Sequence, residues 1–430
     1  MPSLTDPFDI GDLTLSNRLY RAPLLECAGN DSKAVDTLIR ELEPAAESGA
    51  DLIFQGATIV RREGGCAAPG MTRVHDPAFV SQLERLTDAI HEHGAKIFMQ
   101  LEHGGLRSME TWHAGYRAEN PELTQLAVSR PPHLLRLADR LGLLSHDPHV
   151  LSTEEVYELA ADFGRSAKYA VEAGYDGIHI AGANMGIVQQ FLSPFYNRRT
   201  DEFGGSLTNR VRFLAVIHDE IRERAGDVPV VTKVPAETGS PGVVRRRLSE
   251  RDTVGICRAC EAMGYDGVVP VQGSVFWDMS LVRGEFPERA WGDNRFEKGY
   301  EAAFGSRWKA VALANRIHAR DFDFEPAWNA NLCREVKKRV SIPVLCEGGI
   351  RGPKIERVLS NSAESVGMGR PFYAEPRLPA RILSDAGERA ICENCNNCTV
   401  PQVAGARGVC RTPSVLAKRG ELARNGAYDS

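Results

Sequence analysis

The chain of 430 residues is 43% hydrophobic and 25% charged, which is typical of a globular protein and excludes a disordered, collagen-like or coiled-coil chain. Its net charge of -5 gives no strong field of one sign, so we expect neither nucleic acid nor a membrane as a partner. No segment reaches the roughly 18 apolar residues that span a bilayer. Residues 1–20 lack the apolar core of a signal peptide, so we expect a cytoplasmic protein.

Short apolar segments alternate with helical patterns along the chain. Glycines that end helices, such as Gly49, Gly174 and Gly264, lead into three of these segments. A capping box of Ser152 and Glu155 begins one of the helices. We predict strands near 18–24, 51–57, 96–102, 176–182, 229–235, 266–272, 342–348 and 365–370.

Eight strands that alternate with helices predict an α/β fold of the (β/α)8 TIM barrel class. An open doubly wound sheet is the alternative, but it needs a glycine-rich turn after its first strand, and Arg21-Ala-Pro-Leu-Leu offers none. Two long segments, 104–150 and 273–330, follow strand ends on the face where barrel enzymes carry their sites. We interpret them as lids or substrate walls, with structural decoration or contacts in a homo-oligomer as the alternative.

Glycine-rich loops follow the last two predicted strands. The seventh strand leads into Glu347-Gly-Gly-Ile-Arg, and the eighth leads into Gly367-Met-Gly-Arg-Pro. Glycines let backbone N–H groups approach an anion, and the guanidinium of Arg370 can bind phosphate through two hydrogen bonds. Barrels often bind phosphate at these two loops. The alternative is that the glycines only form turns at the strand ends.

Several segments together resemble the Old Yellow Enzyme family of NADH:flavin oxidoreductases. They are Gln100-Leu-Glu-His-Gly-Gly, Gly174-Tyr-Asp-Gly-Ile, the segment 190–213, and the two glycine motifs. The similarity runs from about Asn17 to Pro379. It implies a (β/α)8 barrel with FMN at its C-terminal mouth and an FMN-dependent oxidoreductase activity.

The resemblance also implies roles for individual residues. Lys233 would lie beside N1 and O2 of the flavin, where a cation stabilises the anionic reduced ring. An internal salt bridge is the alternative use of this buried lysine. Gln100 would hydrogen-bond the pyrimidine edge of the flavin. The remaining expected contacts are Pro23, Leu24 and Gly56 through backbone groups, and Gly348, Gly349, Gly369 and Arg370 at the phosphate.

The segment after the fourth strand departs from the family pattern. Ene-reductases of this family carry a pair of His or Asn residues there, followed by a Tyr that donates a proton. Ala181 replaces the first of the pair, Asn184 keeps the second, and Gly186 stands at the Tyr position. Alanine cannot polarise a carbonyl and glycine has no proton to donate, so we do not expect enone reduction by that machinery. Leu25, where many members have Thr or Cys, points the same way. Asn184 and Lys233 remain as the catalytic candidates.

The C-terminal tail, 386–430, holds four of the ten cysteines and is separated here from a barrel domain at 1–385. The candidate ligands are Cys392, Cys395, Cys398 and Cys410. Their spacing suits a 4Fe-4S cluster. It closely resembles the cluster motif of the amine-dehydrogenase and dienoyl-CoA-reductase branch of the family. A four-cysteine zinc site is the alternative.

Three functions are compatible with these features. The first is an FMN oxidoreductase that passes electrons between a small organic substrate and a cluster-linked partner. In the related branch a second nucleotide-binding domain exchanges these electrons. Because the chain ends twenty residues after Cys410, we expect a separate protein in that role. The second function is an NAD(P)H-dependent reductase without a cluster. The third is a flavin-binding electron-transfer subunit or redox sensor that has no small substrate.

Overall fold

A computed structural model describes residues 2–429 apart from 143, 146, 288–293, 400 and 403–404. Eight of the nine strands in its main sheet, labelled β1 to β8 here, pair in parallel and follow one another in chain order. They are Leu19–Arg21, Leu52–Ile59, Lys96–Glu102, Gly177–Ile180, Val230–Ala236, Gly267–Gln272, Leu345–Cys346 and Ser365–Met368. The ninth strand, Thr72–Arg73, pairs with β2.

The eight strands close into a barrel. Strand β1 pairs with both β2 and β8. A bridge between Val268 of β6 and Val344, just before β7, joins the remaining two edges. The predicted (β/α)8 TIM barrel is therefore confirmed, with each strand within a few residues of its predicted position, and the open doubly wound sheet is excluded.

Aromatic side chains fill the N-terminal half of the barrel. Tyr20, Phe54 and Phe98, from β1 to β3, pack edge to face with successive ring centroids 5.3 and 5.4 Å apart. A hairpin of strands Phe8–Ile10 and Leu13–Leu15 adds side chains to the same apolar cluster. Because this half of the barrel is packed solid, space for a ligand lies at the C-terminal mouth.

Helices surround the barrel. The predicted capping box of Ser152 and Glu155 begins the helix Thr153–Glu172. This helix packs against Leu207–Ala225, with the rings of Phe163 and Phe213 edge to face. The other helices around the strands are Ala34–Glu47, Pro77–Val80, Glu84–His91, Ile187–Leu192, Glu250–Met263, Ala330–Lys337, Ile355–Asn361, Arg370–Ala374 and Leu378–Ser384. Within the described ranges, no helix is both long enough and apolar enough to cross a membrane.

The two long segments predicted from the sequence are insertions after β3 and β6. The first contains the helices Met109–Trp112, Ala114–Glu119 and His133–Arg140 and the paired strands Leu126–Ala127 and His149–Val150. The second contains the helices Asn294–Phe304 and Trp308–Ala319. Single 3-10 turns lie at Ser81–Leu83, Gly105–Arg107, Met279–Leu281 and Gly305–Arg307.

The C-terminal tail packs against the loops that follow β7 and β8. Its helix Pro413–Arg424 places Val415 against Ala374 and Ile391 in a small apolar cluster. The N–H of Ala390 donates to the carbonyl oxygen of Arg351 at 3.0 Å. The tail is therefore held on the same end of the barrel as the mouth.

Candidate functional site

A cavity of about 280 Å³ opens at the C-terminal mouth of the barrel. Its walls come from the loops after β1, β4, β7 and β8, from β5, from both insertions, and from Thr399 and Gln402 of the C-terminal tail. The residues that were predicted from the sequence and line it are Pro23, Leu24, Asn184, Lys233, Gly348, Gly349, Gly369 and Arg370. The fold thus brings to one cavity most of the residues expected at the flavin.

Lys233 forms an ion pair in the cavity wall. Its Nζ lies 2.7 Å from Oε2 of Glu347, and the two side chains are 8% and 11% exposed. The internal salt bridge considered from the sequence is therefore present. Burial, and then the charge of Glu347, raise the pKa of the Tyr20 phenol well above its usual value, so this hydroxyl stays protonated at neutral pH.

Gln100 and Gly56 are not among the residues that line the cavity. The Nε2 atom of Gln100 lies 2.8 Å from Nδ1 of the buried His179 on β4. Burial, and then the nearby Lys233, lower the pKa of His179 well below its usual value, so this imidazole is neutral and can accept the amide hydrogen. The N–H of Gly56 donates to Oε2 of Glu26 at 3.0 Å. A side chain at position 56 would overlap the backbone after β1.

Two nearly buried arginines, Arg351 and Arg370, form another part of the cavity wall, and each is 7% exposed. Arg370 donates to the side-chain oxygen of Asn396 and, at 2.8 Å, to the carbonyl oxygen of Arg283. The Nε atom of Arg351 donates to Oδ1 of Asn394 at 3.1 Å. These acceptors are neutral, and no carboxylate of the described residues pairs with either guanidinium.

Burial, with a contribution from the neighbouring charge of Arg370, lowers the pKa of Arg351 to about 10, which still leaves it charged at neutral pH. Two buried cations without a carboxylate partner favour an anion between them. The residues at this end of the cavity therefore fit a phosphate group.

The backbone conformation after β7 also requires glycine at two positions. Gly348 and Gly349 adopt left-handed φ angles of 99° and 72°. A Cβ atom at Gly348 would lie 2.6 Å from Nδ2 of Asn329, which donates to the carbonyl oxygen of Glu347 at 2.9 Å. The turn interpretation is therefore correct for these two positions, which also line the cavity.

The loop after β4 has an unusual backbone. Asn184 and Met185 both adopt left-handed φ angles, 64° and 63°, although neither is glycine. Nη1 of Arg107 donates to the carbonyl oxygen of Asn184 at 2.7 Å and holds this turn. Ala181 and Gly186 contribute no polar side chain to this loop, because alanine and glycine have none. In this loop, Asn184 is the residue that lines the cavity.

The two insertions supply cavity walls for which the sequence predicts no individual residues. The first contributes Arg107, and the second contributes Trp277, Asp278, Met279, Leu281, Val282, Phe286, Tyr300, Asn315 and Trp328. The interpretation of the insertions as substrate walls is consistent with this placement. Arg351 belongs to the glycine motif Glu347-Gly-Gly-Ile-Arg, so its place in the cavity wall could have been predicted from the sequence. The insertion residues carry no comparable local signal.

The four tail cysteines line one small second cavity. Arg370 and Tyr373 line this cavity as well as the larger one, so the two are neighbours. Sγ of Cys395 lies 3.0 Å from Oγ1 of Thr412. Burial raises the pKa of the Cys398 thiol to about 12. Among the residues that the structure describes, no group of three or more His, Cys, Asp or Glu side chains is arranged to hold a metal ion. The predicted ligand cysteines therefore share a cavity, but their side chains are not already arranged as a metal site.

Comparisons with known proteins cover most of the chain. The profile of the family described as NADH:flavin oxidoreductase / NADH oxidase matches residues 3–264. A metal reductase of Desulforamulus reducens is 28% identical over 400 residues, which cover 92% of this chain and 51% of that protein. A 4,4'-dithiodibutanoate disulfide reductase of Rhodococcus erythropolis is 26% identical over 431 residues, which cover 98% of each chain.

A solved structure supports the fold over the whole chain. A 2-naphthoyl-CoA reductase in complex with 2-naphthoyl-CoA superposes with a TM-score of 0.72 at 19% identity, covering 99% of this chain and 58% of that chain. The chain spans about half the length of the metal reductase and nearly all of the disulfide reductase.

Proposed function

Because the chain belongs to the NADH:flavin oxidoreductase / NADH oxidase family, we propose that it is an FMN-dependent oxidoreductase. It would move reducing equivalents between a small organic substrate and NAD(P)H or a separate redox protein. This family is the one that the segment 190–213 and the glycine motifs indicated. The observation that carries the proposal is the cavity at the barrel mouth, whose wall contains two buried guanidinium groups without a carboxylate partner among the described residues.

The residues of this cavity fit FMN. Arg351 and Arg370 would bind its phosphate through charge-assisted hydrogen bonds, together with backbone groups of Gly348, Gly349 and Gly369. Bound FMN would supply the hydride-transfer chemistry of the reaction.

Further residues would orient the ring of the cofactor. Lys233, held at 2.7 Å by Glu347, would place its cation beside the pyrimidine edge and favour the reduced state. Gln100 does not line the cavity and its Nε2 is bonded to His179, so it would reach the same edge only through its Oε1. Pro23 and Leu24, which line the cavity, would contribute backbone contacts from the loop after β1. Gly56, which does not line the cavity and whose N–H donates to Glu26, would not be one of these contacts.

The cavity wall favours an enzyme that acts on a small organic substrate over an electron-transfer subunit that binds no such substrate. The insertions place aromatic side chains such as Trp277 and Phe286 on the cavity, beside Asn184, and apolar walls with a few polar groups are typical of small-molecule sites. The related Rhodococcus protein is named for a substrate that carries carboxylate groups. Asn184 would hydrogen-bond a polar group of the substrate, while Ala181 and Gly186 exclude the family's usual pair and proton donor.

We further propose that the tail, as a unit distinct from the barrel, binds a 4Fe-4S cluster. The candidate ligands Cys392, Cys395, Cys398 and Cys410 line one cavity. A cuboidal cluster spaces its four thiolates more widely than a single zinc ion does, which suits cysteines spread around a common space. Arg370 and Tyr373 line both cavities, so the two cofactors would be neighbours. Electrons would then pass between the flavin site and a separate redox protein through the tail.

Anaerobic purification tests both cofactors. We expect one FMN per chain and, for the cluster, about four iron and about four sulfide. Reduction by NADH and by NADPH is followed by the loss of flavin absorbance, and reoxidation is then measured with candidate substrates. Stable, folded protein that does not bind added FMN would overturn the proposal. Stoichiometric zinc without iron or sulfide would make the tail structural and favour an NAD(P)H-dependent reductase without a cluster.

A further inference from the structure

Arg107 presents an unused hydrogen-bonding edge to the cavity. It ends the 3-10 turn Gly105–Arg107 of the first insertion, and its side chain is 12% exposed. Its Nη1 atom donates to Oε1 of Glu102 at 3.0 Å and to the carbonyl oxygen of Asn184 at 2.7 Å. No residue in the described part of the chain accepts a hydrogen bond from Nε or Nη2. These two atoms form the side edge of a guanidinium, which matches the two oxygens of a carboxylate.

Trp277, from the second insertion, covers the face of this guanidinium. Its ring centroid lies 5.4 Å from Cζ of Arg107, a cation–π distance, and the residue is 51% exposed. A half-exposed tryptophan on a cavity wall offers apolar surface for a flat ligand. The two insertions therefore meet above the cavity at one charged and one aromatic group.

Asn184 adds a second polar group at the same place. Its carbonyl oxygen is held by Arg107, its backbone is in the strained left-handed region, and it lines the cavity. None of the described residues forms a hydrogen bond with its side-chain amide. Strained loops of this kind occur where a side chain must be presented to a ligand.

The carboxylate bonded to Arg107 and another in the cavity wall leave this edge open. Glu102 engages only Nη1, on the opposite side from Nε. Asp278 also lines the cavity, but its Oδ1 accepts the N–H of Ser280 at 2.9 Å and caps a short turn. A ligand carboxylate at Nε and Nη2 would thus meet two free donors.

We propose that Arg107 binds the carboxylate of the substrate through Nε and Nη2, that the Asn184 amide contacts the same group, and that Trp277 covers the adjoining apolar part. The substrate class is therefore a small unsaturated or aromatic organic acid. Arg107 and Trp277 act as specificity-determining residues in place of the polar groups absent at Ala181 and Gly186. This inference rests on the proposed oxidoreductase function.

Two ligands of the same shape test the proposal with the FMN-loaded protein. Cinnamate carries a carboxylate, whereas cinnamamide replaces it with a neutral amide. Dissociation constants are measured for each from the perturbation of the flavin absorption spectrum and by calorimetry. We expect the wild-type protein to prefer cinnamate at least tenfold. Arg107→Met should abolish this preference, and Arg107→Lys should retain only part of it because a lysine presents no planar edge.

Two further variants complete the design. Arg130→Met removes an exposed arginine of the same insertion that does not line the cavity, and it should keep the wild-type preference. Trp277→Ala, at a half-exposed position, should weaken both ligands by the same factor. If Arg107→Met does not fold, the proposal is tested by the acid preference of Arg107→Lys and by the affinities of Trp277→Ala for the two ligands. Flavin-loaded wild-type protein without a preference for the acid, or Arg107 variants that keep it, would overturn the subsite. A protein that binds no FMN would instead overturn the proposed function.

Discussion

Replacing Arg370 with methionine should separate the contribution of the phosphate to FMN affinity from the contribution of the ring. The guanidinium is 7% exposed, and its described partners, Asn396 and the Arg283 carbonyl, are neutral. If its counter-charge is the phosphate of FMN, the variant loses two charge-assisted hydrogen bonds of about 1.5–3 kcal/mol each. A loss of about 3–6 kcal/mol corresponds to FMN binding that is roughly 140-fold to 20,000-fold weaker.

The assay compares FMN with riboflavin, which lacks the phosphate. Apoprotein is titrated with each flavin, and binding is followed by the quenching of flavin fluorescence. Arg370→Met should lose affinity for FMN and keep its affinity for riboflavin. The apoprotein should still fold, because the substitution removes a buried charge that has no carboxylate partner among the described residues. The lost hydrogen bonds to Asn396 and the Arg283 carbonyl should lower the free energy of unfolding by about 1–3 kcal/mol, which a denaturant titration of the apoprotein measures. Arg357→Met, at an exposed position on the helix after β7, is the matched control and should bind both flavins normally. Equal losses for the two flavins, or no loss for either, would refute a phosphate contact.

The remaining predictions concern the lysine, the tail asparagine and the cysteines. Lys233→Met should lower the midpoint potential of bound FMN, because the reduced ring loses a nearby cation. The double variant Lys233→Met/Glu347→Gln controls for the carboxylate that the single variant leaves unpaired. An unchanged potential in both variants would place the lysine away from the flavin. Asn396→Asp puts a carboxylate on a guanidinium of the cavity wall and should weaken FMN about tenfold or more while riboflavin binding, as the control, stays unchanged. Cys395→Ala should abolish bound iron as measured by iron and sulfide assay, whereas Cys257→Ala, in the apolar core, should not; iron that survives Cys395→Ala would exclude this cysteine as a ligand.

The order and type of the barrel elements could be read from the sequence because they depend on local patterns. Apolar segments of strand length, capping residues such as Ser152 and Glu155, and helix-ending glycines each act over a few neighbouring residues. The same holds for the glycine motifs after β7 and β8, whose positions at two neighbouring strand ends predict that Gly348, Gly349 and Arg370 lie near one another. In a closed parallel barrel, the carboxyl ends of all strands meet at one mouth, so residues at those ends are necessarily close.

Other features were decided only by the tertiary structure. The pairing of Lys233 with Glu347 joins β5 to the loop after β7. The contact of Arg107 with Trp277 joins two insertions that the sequence could place only at the same face. The tail hydrogen bonds to the guanidinium groups of the cavity wall likewise connect distant segments.

The physical reason is the same in each case. A strand or helix is specified by the spacing of apolar and capping residues along the chain, whereas the path of a long insertion depends on what it packs against. Trp277 in the sequence is one aromatic residue in a segment of 58 positions, 273–330, without a repeating pattern. Its position over a guanidinium follows from the packing of the insertions on the closed barrel. The sequence by itself therefore determined the barrel and the glycine motifs at the ends of its last two strands, and the folded chain determined which insertion residues join them at the mouth and which residues face one another.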